Sequence, residues 1–166
     1  MSAPPVVVFD CMTFLQATTS ATGPSAACLA LVEAGQLRLA LSPAILAEVR
    51  DVLSRPQIRR RNPDLNDAAV DAYLARLVEL SPPVADVPRA ITYPRDPKDE
   101  PYLDLAAQAK AAFLVSFDND LLELMAEGNA DGVRIRALAL GLEVVTPPEL
   151  LRRWRERQSQ SPEVPT

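Results

Sequence analysis

The stretch VVVFD, residues 6–10, is a run of four apolar residues, three of them β-branched, that stops on an aspartate. A run this short, with no alternation of apolar and polar residues, fits a strand buried on both faces of a parallel sheet. The pattern returns in FLVSFD, residues 113–118, where Phe113 to Ser116 reads as a strand that ends just before Asp118. Residues 37–41 and 142–145 read as two more strands. Helical signals lie between them. Pro24 to Ala34 carries Pro24 near the first helical position and Gly35 as its stop. SPAILAEVRDVL starts on Ser42 as N-cap with Pro43 behind it. Residues 67–80 follow Asn66 as N-cap, with Leu65 and Val70 placed as a hydrophobic staple. Further helices are expected from about Asp99 to Ala111, over 121–125, over 134–140, and from Pro148 through Trp154. Residues 81–94, SPPVADVPRAITYP, read as an extended proline-rich connection, either a crossover or a partner-binding edge, and EGNADG at 127–132 as a loop. Strands alternating with helices predict an α/β fold around a parallel sheet. One domain is expected over residues 1–157, and residues 158–166, polar and proline-containing, read as a disordered tail.

Composition narrows the chemistry. No apolar run among the 166 residues approaches the roughly 20 needed to span a bilayer, and the start does not read as a signal peptide, so a soluble cytoplasmic protein is expected. Histidine is absent. That excludes Ser-His-Asp and Cys-His catalysis and most zinc sites. Cys11 and Cys28 read as buried thiols rather than a disulfide. The net charge of −5 argues against a generally basic nucleic-acid binder. Local charge differs. Arg152, Arg153, Arg155 and Arg157 read as a solvated helix face, whereas Arg55, Arg59, Arg60 and Arg61 fit either such a face or a set of phosphate contacts.

The acids carry the strongest signal. Asp10 and Asp118 follow strands, Asp99 stands at or near a helix start, and Glu48 borders the apolar stripe of Ile45, Leu46, Val49, Val52 and Leu53. Sites in parallel sheets form beyond the carboxyl ends of strands, so these four acids are expected to converge on one rim. Packed carboxylates repel and lose hydration, which a hard divalent cation such as Mg²⁺ or Mn²⁺ would offset. The alternative is that Asp99 and Asp118 are N-caps and Glu48 merely the first polar residue beside the core. DPKDEPYLD at 96–104 and SFDND at 116–120 hold more acids than a site needs, and some of them read as caps.

With these blocks in view, the chain resembles the PIN-domain family, particularly VapC-like toxin components, over roughly residues 5–155. VVVFD is similar to the family's first strand and acid, SPAILAEVRDVLSRP to its acid-bearing helix, DPKDEPYLDLA to its third block and AAFLVSFDNDLLEL to its last. The resemblance implies a three-layer α/β/α fold with a central parallel sheet of four to five strands. It implies a ribonuclease dependent on Mg²⁺ or Mn²⁺, with Asp10, Glu48, Asp99 and Asp118 as catalytic metal ligands and Asp96, Ser116, Asp120 and Thr13 as auxiliary groups. Arg59, Arg60 and Arg61 are the candidate RNA contacts. Implied partners are RNA, a cognate antitoxin and a second copy of the chain, with no membrane. Cys11 and Met12 stand where the family usually has a hydroxyl residue and an asparagine, with Thr13 as the substitute hydroxyl. An alternative reading follows, a catalytically weak module that binds RNA or protein. A phosphatase of the haloacid dehalogenase type would need a second Asp where Met12 stands.

Overall fold

The computed structural model describes residues 3–160. Four parallel strands form its sheet: β1 (Val6–Phe9), β2 (Arg38–Leu39), β3 (Phe113–Val115) and β4 (Glu143–Val145), in the order β2-β1-β3-β4. Val7 pairs with Leu39 on one side and Phe113 on the other, and Phe9 pairs with Val115. This register brings the chain out of β1 and β3 at the same level, with Asp10 and Ser116 next in sequence. Val7, Val8, Phe9, Leu114 and Val115 are all fully buried, as the continuous apolar runs require of central strands.

Helices complete a three-layer α/β/α arrangement. They are α1 (Cys11–Thr19), α2 (Pro24–Glu33), α3 (Pro43–Leu53), α4 (Pro56–Arg61), α5 (Asp67–Leu80), α6 (Glu100–Gln108), α7 (Asn119–Leu122), α8 (Ala130–Leu138) and α9 (Pro147–Gln160). Short 3₁₀ turns, Pro97–Asp99 and Glu123–Met125, precede α6 and follow α7. Helix α6 packs on β1 and β3, while α9 packs on β3 and α2. No helix among the described residues is long and apolar enough to cross a membrane.

The local signals act as expected at several ends. The side chains of Ser42 and Asn66 accept from Ile45 N and Ala69 N and so cap α3 and α5. Gly35, at φ +74°, closes α2, with Gly35 N bonded to Val32 O and Gln36 N to Leu31 O. Other ends move. Asn129 accepts from Gly132 N and starts α8 at Ala130, inside the expected loop. The last helix extends to Gln160, supported by Arg152 with Glu149 and Glu156 and by Arg153 with Glu149. It therefore enters the segment expected as a tail, whose remaining residues, 161–166, lie outside the described ones. Helices α1 and α4 fill stretches that periodicity leaves unassigned. Helix α1 is held by its Asp10 cap and by packing on α2 and α3 rather than by a strong stripe of its own.

The 81–94 connection is a crossover fixed by hydrogen bonds. Val84 N donates to Leu41 O, Ala90 N and Ile91 N to Asp104 Oδ1, and Tyr93 N to Glu100 Oε1. Two acids of DPKDEPYLD thus satisfy backbone donors of this irregular segment.

Candidate metal centre

Asp10 leaves β1 and caps α1. Its Oδ1 accepts from Thr13 N at 2.8 Å and Thr13 Oγ1 at 2.7 Å, and its Oδ2 accepts from Ser116 Oγ at 2.5 Å. Thr13 Oγ1 also lies 3.1 Å from Val115 O, so its single proton serves one acceptor at a time. Burial pushes the Asp10 pKa up, and the bonds from Ser116 and Thr13 oppose that shift. Ser116 joins the two strand ends. Its Oγ also accepts from Asp118 N at 2.9 Å, and Asp118 Oδ1 accepts from Asp120 N at 2.8 Å, capping α7.

Asp99 is different. It occupies the N-cap position of α6, yet its side chain makes no capping bond. Only 8% exposed, it leaves Oδ2 buried without a hydrogen-bond partner. Burial raises its pKa to about 7, and the charges of Asp96, Asp118, Asp10 and Glu48 add to that shift in this order. The four acids expected from the sequence, together with Asp96, therefore share one neighbourhood. Oxygens of Asp96, Asp99 and Asp118 lie within 4.8 Å of one another.

Glu48 reaches the site from α3. Tyr102 Oη, on α6, donates to Glu48 Oε2 at 2.6 Å. Tyr102 is 1% exposed, and burial drives its pKa far above the usual phenol value, so it stays a neutral donor. The Cys11 thiol beside this pair is pushed up to about 12 by burial and by the Glu48 charge, and so remains a thiol. Met12 is exposed. A set of oxygen donors with one orphaned buried carboxylate suits a hard divalent cation.

A family model described as PIN domain matches residues 6–120, the span that carries all of these acids. The chain belongs to the PIN-domain family. No curated protein and no solved structure matches the chain.

Several expected groups of this PIN domain have other partners. Asp120 forms an ion pair with Arg95 at 2.9 Å, and Arg95 also reaches Glu123 at 2.7 Å. Arg59 is engaged by Asp67 at 2.7 Å and by Leu53 O at 3.3 Å. Arg61 lines a cleft with Thr18 and Thr19 at the far end of α1, about 13 Å from Asp10 by the helix rise. Arg61 thus lies about a helix length from Asp10. Arg152 and Arg153 pair with glutamates, and the Arg157 guanidinium stands 5.2 Å from the centre of the Phe113 ring.

Tyr102, Arg95, Glu100 and Asp104 were not expected from the sequence. Glu100 and Asp104 hold the crossover, Tyr102 orients Glu48, and Arg95 brings a cation beside Asp120 and Glu123. A general signal existed only for Tyr102, because a buried phenol needs a partner for its hydroxyl.

Proposed function

We propose that this PIN domain is a metal-dependent endoribonuclease that hydrolyses RNA phosphodiester bonds. The observation that carries this reading is the bare Asp99 carboxylate, buried and unpaired at Oδ2 among four other acids. Such a group is costly in a metal-free protein and suited to one that binds a divalent cation. Asp10, Glu48, Asp99 and Asp118, with Asp96, would hold Mg²⁺ or Mn²⁺. When bound, the cation offsets the charge of the phosphate and makes water a stronger nucleophile at neutral pH.

The chain's own groups do the rest. Asp99, whose pKa is raised to about 7 by burial and by the neighbouring acids, would give up its proton as the cation binds, so loading of the site is expected to favour higher pH. Thr13 and Ser116 align Asp10 and oppose the rise that burial gives its pKa, and Tyr102 holds Glu48 by a hydrogen bond. Arg95, paired with Asp120 and Glu123, is a cation available beside the acids, and Arg59, Arg60 and Arg61 would track the RNA backbone farther out. The reading extends to a cytoplasmic toxin component held by an antitoxin, with a homodimer as its assembly. The weak-module alternative rests on Cys11 and Met12. Hydrogen bonds from Thr13 and Ser116 to Asp10 support activity instead.

Cleavage of a mixed single-stranded RNA pool with Mn²⁺, Mg²⁺ or EDTA tests this. Cutting is expected with either metal, absent in EDTA and absent in the Asp10→Asn, Asp118→Asn double variant. Metal and RNA retention without cutting would favour the binding module.

A further inference from the structure

Phe117 stands between two residues of the site, Ser116 and Asp118, and neither the site nor the core uses its ring. The chain has few aromatic residues: four Phe, three Tyr and one Trp. Phe9, Phe14, Phe113, Tyr93 and Tyr102 are buried, and Tyr73 and Trp154 are half-buried. Phe117 alone is exposed, at 41%. Phe9 and Phe14 pack on each other, but no other aromatic ring among the described residues stacks on that of Phe117, which lies outside the hydrophobic core. Keeping a ring in water is unfavourable, and the fold gains no packing from it here.

The neighbours of Phe117 hold its backbone in place. Ser116 N donates to Val145 O at 2.9 Å, Ser116 Oγ donates to Asp10 and accepts from Asp118 N, and Asp118 caps α7. The Phe117 Cα is thereby set about 3.8 Å from that of Asp118, and the ring has only two torsions to settle. Met12, two residues beyond Asp10 and 43% exposed, is the other large apolar side chain left in water close in sequence to an acid of the site. The exits of β1 and β3 therefore each carry an acid and an exposed apolar side chain.

Charge contributes little to holding RNA here. The net charge is −5, Arg95 is engaged by Asp120 and Glu123, and Arg59 by Asp67. Stacking on an aromatic ring needs no positive charge, and every base has a face to offer. We infer that Phe117 is the platform on which an unpaired RNA base stacks, next to the phosphate held at the acids. Paired bases keep their faces inside their own helix, so the ring favours unpaired nucleotides. The inference rests on the RNA reading of the site, and its readout is binding rather than cutting.

Anisotropy of a labelled oligoadenylate of about ten nucleotides, with phosphorothioate links that resist hydrolysis, measures binding to the full chain in Mn²⁺. A strand of the same length with abasic spacers keeps the charges and removes the bases. Wild type is expected to prefer the oligoadenylate, and Phe117→Ala to weaken that binding about five- to a hundredfold, the scale of one base stacked on a ring. The slope of affinity against salt should stay unchanged, since no phosphate contact is lost, and the strand paired in a duplex should bind both proteins alike. Phe117→Trp should restore binding, with its added indole emission quenched by the bound strand. Because the ring is exposed, these variants keep the core, which circular dichroism checks. Equal binding of the oligoadenylate by Phe117→Ala and wild type, an equal loss for the abasic strand or the duplex, or no RNA binding by wild type would each overturn the inference. Stacking through Phe117 with no RNA cut in the cleavage assay would leave it standing and remove only the nuclease reading.

Discussion

Replacing Asp99 by asparagine isolates what the buried, unpaired carboxylate costs the metal-free fold. Its pKa is about 7 in the folded protein and near 3.9 in an unfolded chain. Between these values the folded state binds more protons than the unfolded one, so the contribution to stability is full below about pH 4 and is lost as pH rises through 7. The shift is about three pKa units at 1.36 kcal/mol each, so ionised Asp99 costs at most about 4 kcal/mol at about pH 8. At about pH 5 the same relation gives about 1.5 kcal/mol. Asparagine keeps the shape and carries no charge. Asp99→Asn is therefore expected to stabilise the protein in EDTA, and by about 2 to 3 kcal/mol more at pH 8 than at pH 5. Urea unfolding at the two pH values, followed by Trp154 fluorescence, measures the difference. Saturating Mn²⁺ at pH 8 should remove the advantage, because the ion stabilises only the wild-type site. Destabilisation by Asp99→Asn at pH 8, or an equal gain at both pH values, would refute the reasoning.

Two further outcomes test the scaffold. Asp104→Ala removes the acceptor of Ala90 N and Ile91 N and should cost about 3 kcal/mol, with faster hydrogen exchange at those two amides; a loss under about 1 kcal/mol would mean the crossover is held elsewhere. Lys110 ends α6 at φ +52°, with Lys110 N bonded to Ala107 O and Ala111 N to Ala106 O, so Lys110→Gly should add about 0.5 to 1 kcal/mol in thermal unfolding. A lower midpoint would show that the lysine side chain contributes more than the backbone strain takes away.

Much of the candidate site was legible as positions, because its members stand next to strong local signals. Asp10 and Asp118 each follow an apolar run too short to be anything but a buried strand, and a parallel sheet places such positions on one edge. Glu48 was legible as the boundary of an apolar stripe, although its bond to Tyr102 joins residues 54 apart in sequence. The Cys11 and Met12 departure looked like a gap in the support of Asp10. Thr13 was the substitute hydroxyl expected there, and in the fold the first turn of α1 brings both its backbone N and its Oγ1 onto that carboxylate.

The sequence by itself determined the alternation of strand and helix, the absence of histidine chemistry and the four segments that supply acids, since periodicity, caps and composition are local properties. Only the tertiary structure decided which acids meet. Asp99, Glu100 and Asp104 stand in one nine-residue block, but a helix turns about 100° per residue, so Glu100 points about 100° and Asp104 about 140° away from Asp99. Glu100 and Asp104 face the crossover and take its amide protons, and Asp99 faces the strand ends and is left without a donor. That difference depends on where α6 lies against β1 and β3, and contacts between distant segments fix it.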